Sequence, residues 1–262
     1  MSCLESEQRV LGSMCPNCGS ASTAAFCAAC GQRQGEGVPT VGQWTSEVLD
    51  ELFLVNGKLP VTLKLLLRRP GHLTSEWVEG RRSRYLHPFR LYLLTAATYF
   101  LMAPWLQEGG GVLVNMVEGA SESFGPDVQD AASSFVVAWW QPVLMVIMLP
   151  VVALALRFVI ERDRRFVEHL VFSLHFHSAL FVLLLAVLPF SRLPNDSFLT
   201  WLQGAPYLVG LVGLVLAFRH HYQRSRARAI LGAGAVAVSY LAAFFIVFGV
   251  LLGVGIRAAG AS

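Results

Sequence analysis

The chain has 262 residues, 55% of them hydrophobic and only 14% charged, with a formal net charge of +3. Soluble domains typically carry about 25% charged residues, so an ordinary soluble domain of this length is excluded. The positive excess is too small to argue for nucleic acid, and its placement along the chain carries more information than its sum.

About half of the charged side chains fall within residues 1–90, whereas 91–262 is a series of long apolar stretches separated by short polar loops, the pattern of several membrane spans. Met1 to Val10 carries Glu5, Glu7 and Arg9 without a signal-peptide apolar run, so the N-terminal region is expected in the cytosol. Cys15-Pro-Asn-Cys18-Gly and Cys27-Ala-Ala-Cys30-Gly form two facing C-x2-C knuckles. Each knuckle offers two thiolates from one tight turn, and the glycine after the second cysteine relaxes the backbone. In a reducing compartment this spacing favours one structural zinc ion, Zn2+, per chain over a disulfide, a redox pair or an iron–sulfur site. Four thiolates leave no open position for catalysis at that metal. Between Met14 and Gly37 the only basic residue is Arg33, too few for a phosphate footprint, so no nucleic acid is expected and protein contact is the better reading. Cys3 is left over.

After a Gly-rich linker, apolar residues recur from Val41 to Val55 at helical period with Thr40 as N-cap. A segment around Val61–Leu67 ends at Pro70-Gly71, and a short helix over about His72 to Glu79 stops at Gly80. Lys64, Arg68, Arg69, Arg81, Arg82, Arg84 and Arg90 surround these segments. They read as a juxtamembrane collar set by topology, or as a surface for anionic headgroups or a protein partner.

The order of these motifs resembles a family. Phe26-Cys27 to Gln32, Thr62-x-Lys64-x-Leu-Leu, Pro70-Gly71, and then Glu76, Gly80, Arg82, Tyr85, Pro88, Arg90 and Tyr92 are similar to motifs of a bacterial multi-pass membrane-protein family of unknown function with an N-terminal four-cysteine zinc ribbon. The string Glu168 to His177 is also similar to that family. The resemblance implies a shared architecture and offers no activity.

Five apolar runs qualify as spans: about 90–106, 135–156, 166–190, 201–218 and 229–256. The loop 107–134 is acidic without Lys or Arg, and the loops 157–165 and 219–228 carry four arginines each, which places the former outside and the latter two in the cytosol. An odd span count then puts the N-terminus in the cytosol and the C-terminus outside. Glycines in the last two spans, including Gly210, Gly232, Gly249 and Gly253, imply close helix packing.

The third span holds Glu168, His169, His175 and His177, expensive in hydrocarbon and therefore candidates for function. At about 100° per residue, His175 and His177 point about 160° apart, so one straight helix offers no chelating pair. Tyr99, Gln141 and Tyr240 are the expected partners at that depth. Neutral packed histidines, a proton, ion or ligand site, and a metal or haem centre remain open for them. His220 and His221 are expected on a solvated loop. No nucleotide-binding, hydrolase or metalloprotease motif is present, which weighs against an enzyme.

The expectation is an all-α polytopic membrane protein of about five transmembrane helices with a small zinc ribbon, divided into 1–37 (ribbon and linker), 38–89 (cytosolic amphipathic and juxtamembrane helices) and 90–262 (transmembrane domain). It sits in the cytoplasmic membrane, contacts anionic lipid headgroups, and uses its metal head, held by Cys15, Cys18, Cys27 and Cys30, to dock or regulate a protein partner at the cytosolic face. The alternative is a membrane enzyme or small-solute or ion transporter built on His175, His177 and Glu168.

Overall fold

The computed structural model describes residues 13–22, 26–33, 40–42, 44, 58–106, 146–192 and 197–259. Apart from a two-residue antiparallel hairpin, β1 (Ser13–Met14) with β2 (Ala21–Ser22), which pairs Ser13 with Ser22 and Met14 with Ala21, the described elements are helical. The helices are α1 (Leu59–Arg68), α2 (His72–Val78), α3 (Pro88–Leu106), α4 (Val146–Val159), α5 (Phe166–Val187), α6 (Ser197–His221) and α7 (Arg226–Ala259). A 3-10 turn, Leu188–Arg192, extends α5.

Local chemistry sets the boundaries. Pro60 lies in the first turn of α1, where its missing N–H has no intrahelical acceptor to lose. Arg68 ends α1 before Pro70, and Gly71 takes the left-handed conformation, φ +83°, that turns the chain into α2. The α5 helix begins where the Arg165 backbone N–H donates to Glu168 Oε1 at 3.3 Å, a side chain satisfying an N-terminal donor.

Among the described residues, three stretches are long and apolar enough to cross a membrane: Phe166–Ser191, Trp201–His221 and Arg226–Val247. The helices overrun the expected spans. The expected 201–218 becomes Ser197–His221 and 229–256 becomes Arg226–Ala259, because Arg, His and Ser at their ends continue helical geometry without being apolar. The 90–106 run starts at Pro88. Of the expected 135–156 span the described part is Val146–Val159, and 135–145 lies outside the described residues. So do most of the expected 41–55 helix and Gln141.

The α5 helix is the centre of the bundle. Val167, Val171, Leu174 and Phe181 pack with Trp44, Trp77, Tyr92, Ala96 and Leu149 on one side. Phe172 packs on the other with Val152 and Leu156 of α4, Leu214 and Phe218 of α6, and Ala229 and Ala233 of α7. Burial on both sides explains why its sequence lacks an amphipathic stripe. Leu66, Leu73, Leu86 and Leu91 fasten the α1–α2 hairpin to the start of α3.

The starts of α3, α5 and α7 and the ends of α4 and α6 share one end of the bundle. There Arg224 Nη2 donates to Ile160 O and Glu161 Oε2, both at 2.8 Å, so the two arginine-rich loops touch. At the opposite end Ser191 Oγ donates to Leu106 O at 2.7 Å. The glycine expectation holds in part. A Cβ at Gly232 would collide with Ile160 Cδ1, whereas at Gly249 and Gly253 it would meet no described residue within 4 Å.

Candidate metal centre and its attachment to the helices

The two knuckles repeat one geometry. Cys15 N–H donates to Ser20 O and Gly19 N–H to Cys15 O, as Cys27 N–H does to Gln32 O and Gly31 N–H to Cys27 O, each at 2.8 Å. Gly19 (φ +74°) and Gly31 (φ +71°) take the left-handed conformation that closes each turn. The four sulfur atoms lie within 4.8 Å of one another, with Cys15 Sγ to Cys30 Sγ at 3.7 Å and Cys18 Sγ to Cys27 Sγ at 3.6 Å. A tetrahedron with metal–sulfur bonds of about 2.3 Å has edges of about 3.8 Å. The spacing thus fits a tetrahedral thiolate metal ion and is far from a disulfide bond of about 2.05 Å.

Gln32, directly after the second knuckle, attaches this centre to the helices. It is 7% exposed. Its Oε1 accepts from the backbone N–H groups of Arg82 and Ser83, both at 3.0 Å, and its Nε2 donates to Gly80 O. Gly80 is left-handed at φ +87°, and a Cβ there would lie 3.2 Å from Pro16 Cγ of the first knuckle. The turn that receives Gln32 is itself braced: Arg81 Nε donates to Glu76 Oε2 at 2.8 Å and the Arg81 backbone N–H to Glu76 O at 2.9 Å. Hydrogen bonding from Arg81 holds the Glu76 carboxyl below the usual carboxylate range. Arg82 donates from Nε to Trp77 O at 3.1 Å and lays its guanidinium 4.4 Å from the centre of the Trp77 ring. On the outer side of the head, Met14 and Phe26 are 68% and 60% exposed.

The basic residues of the collar therefore divide. Arg81 and Arg82 are engaged within the molecule, by Glu76 and by Trp77. Lys64, Arg68, Arg69 and Arg84 are exposed, and Arg90 is partly buried. Thr62, fully buried, donates to Lys58 O at 2.8 Å and accepts from the Leu86 N–H at 3.1 Å, tying α1 to the segment that enters α3. His87 packs against the Trp44 ring, and burial pushes its pKa down to about 4.

The three histidines of α5 are buried and go to separate neighbours. His169 Nε2 faces Glu161 O at 3.0 Å. A carbonyl only accepts, so Nε2 carries the proton and Nδ1 accepts from the Tyr222 hydroxyl at 2.8 Å. Burial pushes that hydroxyl's pKa well above the usual range, so it stays a donor. His175 Nδ1 lies 2.9 Å from Thr74 Oγ1 of α2. His177 Nδ1 donates to Ser173 O at 2.8 Å, which leaves Nε2 as a bare acceptor without a partner among the described residues. The Tyr92 and Tyr240 rings pack on His177 with centroids at 6.5 and 5.9 Å. Of the expected partners, Tyr240 is thus at His177, while Tyr99 packs on Phe100 and Phe181. Glu168 does not join the histidines; it caps α5 and pairs with Arg164 Nη1 at 3.2 Å. His221, expected on a solvated loop, is 5% exposed, with Nδ1 3.0 Å from Ser75 Oγ of α2. The reason is that α6 runs on to His221 and α2 lies across its end.

A family model described as a protein of unknown function (DUF3667) matches residues 56–100. That stretch holds the Thr62 tie, the Pro70-Gly71 turn, the Glu76–Arg81 brace and the start of α3. No curated protein and no solved structure matches the chain. The matched family and the four-cysteine cluster together fit an uncharacterised family with a cysteine motif.

Proposed function

We propose that the protein is an integral protein of the bacterial cytoplasmic membrane whose zinc-clipped head is a fixed docking or regulatory platform for a protein partner at the cytosolic face. The attachment of the head through Gln32, with Met14 and Phe26 turned outward, carries this reading. A head tied by three hydrogen bonds holds its exposed methionine and phenylalanine in one orientation, and Met and aromatic side chains are favoured at protein contacts. Zinc is the ion of choice for four thiolates in a tetrahedron. In this reading α3 and α4 complete five spans, the arginine loops face the cytosol, and the C-terminus lies outside. A photoreactive phenylalanine analogue at Phe26, activated in the native host, is expected to give one discrete protein adduct that Met14→Asp abolishes. Adducts with lipid alone, or none, would contradict the platform.

A second reading, a membrane enzyme or a small-solute or ion transporter, draws on the bare Nε2 of His177 between Tyr92 and Tyr240. An unpartnered acceptor at that depth is a place for a donor or a metal. It requires that His177→Phe remove a transport or catalytic activity while leaving the purified protein folded.

A further inference from the structure

One cleft stands outside the metal head and the His177 surroundings. It lies where the α1–α2 hairpin leans on α5 and α6, and it has a volume of about 120 Å3. Leu66, Leu67 and Leu183 are among its apolar walls, and His175 with Thr74 forms its polar spot. Among the described residues no Asp or Glu lines it. Along α6 it runs from Ala217 to Val209, about 12 Å at a rise of about 1.5 Å per residue, so the space is long and narrow. Gly71 closes one end, with its turn packed so near α6 that a Cβ would sit 2.9 Å from Ala217 O. Gly213 leaves the middle open, since a Cβ there meets nothing within 4 Å.

The occupant can be argued from shape, access and charge. An elongated apolar slot takes a hydrocarbon chain in preference to a compact solute. Leu67 of α1 and Val209 of α6, at 42% and 52% exposed, line its open side, and Val209 lies within a stretch apolar enough to cross a membrane, so the ligand arrives from lipid. Arg68 and Arg69, just before Gly71 in the chain, and Arg219, two residues after Ala217, are all exposed, while the Glu76 carboxylate of α2 is already engaged by Arg81. We infer that this cleft binds an anionic phospholipid, with one acyl chain along α5 and α6 and the phosphate held by Arg68 and Arg69. His175, 7% exposed and engaged at Nδ1 by Thr74, then offers Nε2–H to an ester carbonyl at the top of the chain, the tautomer selected when the Thr74 hydroxyl donates to Nδ1.

Native mass spectrometry of the full chain in detergent, with phosphatidylglycerol or phosphatidylcholine added, tests this. Gly213→Leu fills the slot and replaces a weak helix former by a strong one. The expected result is preferential retention of phosphatidylglycerol, its occupancy reduced about tenfold or more by Gly213→Leu, and loss of the headgroup preference in Arg68→Gln/Arg69→Gln. Equal adducts in Gly213→Leu and the unaltered protein, or equal retention of the two lipids by the unaltered protein, would overturn it. Photolabelling of the unaltered protein by phosphatidylglycerol with a diazirine-bearing chain gives an independent reading. Label concentrated on Phe172–Leu183 supports the site, and label spread evenly over the outer faces of α5, α6 and α7 refutes it.

Discussion

Replacing Gln32 by Ala would remove the attachment of the metal head while leaving all four cysteines in place. Three hydrogen bonds are lost: two from the Arg82 and Ser83 N–H groups at 3.0 Å and one to Gly80 O. At a net value of about 0.5–1.5 kcal/mol each, and with Gln32 too buried for water to substitute fully, the loss is about 2–4 kcal/mol. That weakens head-to-turn association by about 30- to 1000-fold, at about 1.4 kcal/mol per factor of ten. The assay is hydrogen exchange on the metal-loaded protein, followed at the Arg82 and Ser83 amides. Both are expected to exchange faster by that factor, with metal content unchanged because neither knuckle loses a ligand. Gln32→Glu keeps the two acceptor contacts but turns a second oxygen toward Gly80 O, and is expected to fall between the two. Unaltered protection of these amides in a Gln32→Ala protein that retains its metal would refute the attachment.

Gly71→Ala forces an L side chain to φ +83° with its Cβ 2.9 Å from Ala217 O. Left-handed strain of about 1–2 kcal/mol and overpacking of about 1–3 kcal/mol are expected to lower the thermal midpoint of the detergent-solubilised protein clearly. His87 has its pKa pushed down to about 4 by burial, with the Arg82 charge as a lesser cause. Its unfolded value is higher, so the unfolded chain binds the proton first and stability falls as pH drops from about 6.5 towards about 4. His87→Leu is expected to make thermal stability less steep against pH in that window, with His72, whose pKa burial also lowers, among the groups that keep part of the slope, and with the loss below about 4.5 that follows from Glu76 retained. Tyr222→Phe strands the His169 Nδ1 acceptor inside the bundle and is expected to cost about 1–3 kcal/mol, read as a lowered thermal midpoint that His169→Phe in the same chain partly restores.

What was legible in the sequence was local. The two knuckles close within four residues each, so C-x2-C-G spacing determines them, and Pro70-Gly71 and Gly80 mark turns that the structure contains at left-handed glycines. The opposite faces of His175 and His177 also follow from helical period alone. The partners of those side chains do not, because Thr74 is 101 residues from His175 and Ser75 is 146 from His221. They meet only when α2 packs across α5 and α6. Gln32 could be seen as part of a motif, but its acceptors and donors lie about 50 residues on, in a turn whose shape depends on the Glu76–Arg81 brace. Glu168 is different: a carboxylate in the first turn of an apolar helix is an N-terminal capping signal, and the sequence carried that signal alongside the misleading one of a charge near histidines.

The central claim is a metal-clipped head fastened to a helical membrane body, and elemental mass spectrometry of the detergent-purified protein tests it most directly. One zinc ion per chain is expected, lost when Cys15, Cys18, Cys27 and Cys30 are changed to Ser. Metal-free protein from the unaltered chain, or metal that survives the four cysteine changes, would contradict the account and place the metal chemistry elsewhere in the bundle.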